Sequence, residues 1–64
     1  MSQKQIAWEE LNYWATGYYQ ALKTGVKLDK FKSKTKKAIN ALLHLGVPQG
    51  VIEDHMSDIA LSIL

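Results

Sequence analysis

The sequence contains no cysteine and no arginine. Without thiols, neither a disulfide framework nor a thiolate zinc site can reinforce the fold. Without guanidinium groups, every fixed positive side chain is a lysine, a hydrated point charge rather than a planar fork, and the commonest bidentate reading of guanine is missing. Proline occurs once, at Pro48, and no Pro/Gly/Ser-rich tract divides the chain. No apolar run approaches the roughly 20 residues that a membrane-spanning helix needs. The first residues, MSQKQIAWEEL, lack the basic start and apolar run of a secretory signal. These absences favour a cytoplasmic setting and disfavour a membrane partner.

What remains is 64 residues, 47% of them hydrophobic, with two Trp and three Tyr. That length allows one domain near the lower limit for independent folding, burying about 60% of its extended-chain surface. With disulfides excluded, stability must come from close helix packing or from association with a second chain. The aromatic residues supply large buryable surfaces for either.

The apolar periodicity is helical throughout. The first predicted helix runs from about Gln3 to Thr24, with Ser2 as N-cap and Gln5 completing a capping box. Ala7, Leu11, Trp14, Ala15, Tyr18 and Leu22 form its core face, with Trp8 beside them, and Gly25 ends it in the left-handed conformation. The second runs from about Asp29 to Leu45, with Asp29 as N-cap and Ser33 as a competing start. Leu28, Phe31, Thr35, Ala38, Ile39, Leu42 and Leu45 share its face, and Gly46 stops it. The third opens with Pro48 at its first position, where the missing N–H costs nothing. Its stripe is Ile52, His55, Met56, Ile59 and Ile63. The expectation is an all-α fold, a compact three-helix bundle over residues 1–64, with a dimer as one means of reinforcing so small a core.

The net charge of +2 conceals a segregated layout. Residues 1–26 balance Lys4 and Lys23 against Glu9 and Glu10. Residues 27–45 set Lys27, Lys30, Lys32, Lys34, Lys36 and Lys37 against Asp29 alone, for +5. Residues 46–64 carry Glu53, Asp54 and Asp58, for −3. Lys27, Lys30, Lys34 and Lys37 make one stripe, and i,i+4 pairs such as Lys30–Lys34 repel by a few tenths of a kcal/mol each. A sequence that accepts this repulsion has reason to meet an anionic surface: phosphate, an acidic membrane surface, an acidic protein, or its own acidic third helix. The plain alternative is a solvated face that aids solubility.

Helix 1 carries more apolar surface than a core-facing stripe needs. Ile6, Tyr13 and Gly17 form a second stripe beside Trp14, Tyr19 stands at its far edge, and Gly17 would admit another backbone. These five residues are the candidate partner-binding face, unless a very small bundle wraps its first helix more fully than usual. Leu42 to Ile52, with Gly46 at the turn, resembles the core of a helix-turn-helix. Leu42 is large where the helices of that motif approach closely, and Glu53, Asp54 and Asp58 would put the wrong sign against phosphates.

His44 and His55 lie eleven residues apart in no ligand spacing, so they read as edge-of-core histidines rather than metal ligands. Ser33, Ser57 and Ser62 have no neighbouring base in sequence, and the chain is short for burying a substrate. No enzyme, cofactor or small-molecule substrate is expected. The expected function is that of a small helical interaction protein, a regulator, inhibitor or accessory subunit binding another protein, with a homodimer as one form. The second expectation is nucleic-acid binding through Lys27, Lys30, Lys34 and Lys37.

Overall fold

A computed structural model describes residues 2–64, and it contains three α-helices and no strand among them. Helix α1 spans Gln3–Thr24, α2 spans Asp29–His44 and α3 spans Gln49–Ile63. The Ser2 hydroxyl accepts the Gln5 N–H at 3.1 Å, satisfying one of the free donors of the first turn. Gly25 closes α1 at φ 78°, where its N–H reaches back to the Ala21 carbonyl. Gly46, at φ 89°, turns the chain after α2 in the same way.

Three boundaries differ from the sequence expectation. Asp29 is the first residue of α2 rather than its cap; Leu28 occupies the cap position without a side-chain hydrogen bond. The acid therefore acts on the helix dipole instead of on a single N–H. Leu45 is the C-cap of α2, not its last turn. Pro48 is the N-cap of α3, extended at ψ 142°, and its carbonyl accepts the Val51 and Ile52 N–H groups.

The core is assembled around α1. Leu11, Leu42 and Ile52, one from each helix, are its largest fully buried side chains, and Ala7, Ala15, Ala38 and Val47 complete it. Full burial of a side chain of this size is worth about 1.5–3 kcal/mol. Trp8, Ile39, Leu45, Met56 and Ile59 pack against the cluster as half-buried residues. On α1 the buried position of the last turn is Ala21, whereas Leu22, expected on the core face, is 46% exposed.

Helix α1 packs on both other helices, most extensively on α2, while α2 and α3 have little mutual contact. Short connections make α2 antiparallel to both neighbours, so α1 and α3 run parallel. Two contacts fix that pairing. His55 Nε2 hydrogen-bonds Asn12 Oδ1, with the imidazole edge-on to Trp8 at 4.9 Å between ring centroids. Near the other end, the Lys23 ammonium donates to the Ile63 carbonyl at 3.1 Å. This places a cation at a helix C-terminus whose own last turn has no basic residue.

Candidate interaction surface

The two surface features of the sequence, the aromatic stripe of α1 and the lysine stripe of α2, meet in the folded chain. Tyr13 is 69% exposed and sits edge-on to Trp14, their ring centroids 4.9 Å apart at 89°. Trp14 is half-buried between the helices and tilts against Phe31 at 6.1 Å. The ammonium groups of Lys30 and Lys34 lie 6.0 and 5.9 Å from the centre of the indole. At this separation each cation is drawn to the ring quadrupole, by about 0.5–1 kcal/mol at an exposed site. That attraction offsets some of the repulsion between two ammoniums one helical turn apart.

The geometry follows from spacing. Lys30, Lys34 and Lys37 recur at four and three residues, which keeps them on one side of α2, whereas Lys27, expected in the same stripe, precedes the helix, which begins at Asp29; all four are exposed. Phe31 shares the α1-facing side with Thr35 and Ala38, and so lies under the lysines and against the back of Trp14. The result is an aromatic centre, Tyr13–Trp14–Phe31, with a cationic rim.

The other candidate residues of α1 are distributed differently. Ile6 is 42% exposed and borders a hollow with Ala41, His44 and Leu45. Gly17 does not lie open to a second chain's backbone: a Cβ built there would stand 2.6 Å from Phe31 Cε1, so the missing side chain makes room for α2. Tyr19 is separated from the rest. It is half-buried, edge-on to Tyr18, and lines a cleft of about 470 Å³ between α2 and α3 with Ile39, Leu43 and Met56. Of the five expected residues, Ile6 and Tyr13 are exposed and Trp14, Gly17 and Tyr19 are half-buried. Phe31 is the member that sequence reasoning assigned wholly to the core; its i,i+3 and i,i+4 spacing to Lys34 and Lys27 was the available signal.

A shallow depression crosses α1 beside Tyr13, bordered by Asn12, Thr16, Gly17 and Gln20. On the far side of α1, α3 presents Val51, Asp54, Asp58 and Leu61 at helical spacing, all exposed, with Leu61 at 81%. The turn before α3 keeps the buried Val47 and Ile52 of a helix-turn-helix, and the outward face of its second helix is acidic and aliphatic. His44 and His55 lie at different places, His44 beside Ile6 and Leu45, His55 against Trp8 and Asn12. Among the described residues no group of three or more His, Asp or Glu is placed to hold a metal ion, and no helix is long and apolar enough to cross a membrane.

Comparison of the chain with family models, curated proteins and solved structures finds no match.

Proposed function

We propose that this chain is a non-enzymatic interaction protein that binds another protein through the outer face of α1 and the adjoining lysines of α2. The observation that carries this reading is the assembly of Tyr13, Trp14 and Phe31 into one aromatic cluster with Lys30 and Lys34 at its edge. Tyr and Trp dominate binding energy where they can be desolvated at the centre of a contact, and a charged rim orients the partner. Tyr13 spends its large apolar ring on solvent in the isolated chain, so covering it returns free energy that the fold does not collect. The partner surface that fits is acidic at its rim and apolar at its centre.

The test is retention of host proteins by wild type and by Tyr13→Ala. Loss of a central aromatic anchor should weaken binding by about 2 kcal/mol, close to thirtyfold, while the helical spectrum stays unchanged. Equal retention by both proteins, with self-association also unchanged by Tyr13→Ala, would end this reading.

A second reading, nucleic-acid binding, has one observation in its favour, the exposed Lys27, Lys30, Lys34 and Lys37 beside an indole. Full engagement of four phosphates would give a slope of log K on log salt of about −3.6 on duplex DNA. A protein partner held by Tyr13 would respond far less to salt.

A further inference from the structure

We infer that the occupant of the outer face of α1 is a second copy of this chain, in a symmetric dimer whose two-fold axis runs along α1. This inference rests on the interaction reading above and names the partner.

Three strips run side by side along the molecule, with α1 between α2 and α3. The central strip belongs to α1 and exposes Glu9, Tyr13 and Gln20. To one side lies the lysine stripe of α2, fixed there by the approach of Lys30 and Lys34 to Trp14. To the other side lies the Val51–Asp54–Asp58–Leu61 stripe of α3, fixed by the His55–Asn12 bond and by the depression that Asp58 shares with Thr16. Basic, aromatic and acidic strips thus lie side by side, and α2 and α3 have too little mutual contact for their charges to cancel within the chain.

Rotation by 180° about the α1 direction exchanges the outer strips. The lysine stripe of each copy then faces the acidic stripe of the other, and the two α1 strips meet at the axis. Rotation about the perpendicular in-plane direction would set lysine against lysine and acid against acid, so charge selects the first arrangement.

The stripes also match in spacing. Lys30 and Lys34 are four residues apart, as are Asp54 and Asp58, so two ammoniums one turn apart meet two carboxylates one turn apart. Their heights along the axis agree as well. Lys30 and Lys34 lie level with Trp14, and the parallel pairing of Asn12 with His55 and of Thr16 with Asp58 puts the middle of the Asp54–Asp58 pair near that level. At the centre, the two exposed Tyr13 rings come to the same height beside the axis, covered by neither chain alone.

Sedimentation of the full chain at rising concentration tests the proposal, with two charge-reversed variants, K30E/K34E and D54K/D58K. Wild type should convert to a species of twice the monomer mass, and each variant alone should stay monomeric. An equimolar mixture of the two variants should dimerise again, because every stripe in the mixed pair then meets its opposite; this rescue also shows that both variants are folded. Because the chain has no cysteine, single spin labels at Glu9→Cys and Gln20→Cys report the helix direction. Both label pairs should be close across the axis, whereas an antiparallel α1 pair would hold at least one pair about 16 Å or more apart. Wild type that stays monomeric at millimolar concentration, a mixture that fails to dimerise, or an antiparallel label pattern would each overturn the dimer. Monomeric wild type that still binds an acidic protein in a Tyr13-dependent manner would overturn the dimer and leave the interaction reading standing.

Discussion

Gly17 and Phe31 are packed so closely that a methyl group at residue 17 would stand 2.6 Å from the Phe31 ring. The sign of Gly17→Ala is therefore set by a contest. Alanine gains about 1 kcal/mol of helix propensity over glycine, and overpacking typically costs about 1–3 kcal/mol. Because the ring is also held against Trp14, the strain should win, with a net loss of about 1 kcal/mol in chemical denaturation. In a Phe31→Ala background the same change should become stabilising by about 0.5–1 kcal/mol. The reversal is the informative result, and no change of sign would mean that Gly17 has another reason to be glycine.

Thr35 is 5% exposed, and its hydroxyl has no hydrogen-bond partner among the described residues. An orphaned buried hydroxyl costs about 1–3 kcal/mol, whereas Val has nearly the same shape and helix propensity without the polar atom. Thr35→Val should raise stability by about 1 kcal/mol, and thermal melting reads it directly. A lower melting temperature would show that the hydroxyl is satisfied.

Leu11 and Tyr13 are two residues apart and should differ sharply in what their loss costs. Leu11 is fully buried, so Leu11→Ala should cost about 2–5 kcal/mol. Tyr13→Ala, at an exposed site, should cost the dilute monomer about 0.5 kcal/mol or less. Melting at low concentration separates the two. Comparable losses would make the outer strip of α1 part of the core.

Helix α3 contributes a single fully buried side chain, Ile52, and packs mainly on α1. Hydrogen exchange should find its amides opening at lower free energy than those in the middle of α1. Ile52→Ala should widen that gap, releasing α3 while α1 and α2 remain protected. Uniform loss of protection would mean that the three helices open as one unit.

Much of this architecture is legible in the residues. Period-3.6 stripes placed all three helices, and Ser2, Gly25 and Gly46 marked ends by a local backbone requirement that needs no knowledge of the fold. What escaped depends on distances between helices. Leu22 looks like Leu11 on a helical wheel, and only the packing of the other helices determines that one is bare and the other sealed. Gly17 announces a close approach, but its own sequence neighbourhood does not say whether the approaching group belongs to this chain. Phe31 answers that from fourteen residues away. The union of the aromatic and lysine surfaces was likewise beyond periodicity, because it depends on which side of α1 receives α2.

The parallel course of α1 and α3 has a consequence for how the molecule can be handled and joined. A three-pass chain enters at one end of its 33 Å long axis and leaves at the other. Ser2 and Leu64 therefore point away from each other, unlike the adjacent termini of many small domains. Linking them head to tail would require a bridge as long as the body itself, so circular permutation is disfavoured. By the same polarity, a fluorophore at each end would report the extension of the bundle. Domains fused before Ser2 and after Leu64 would be held apart as on a short rigid rod.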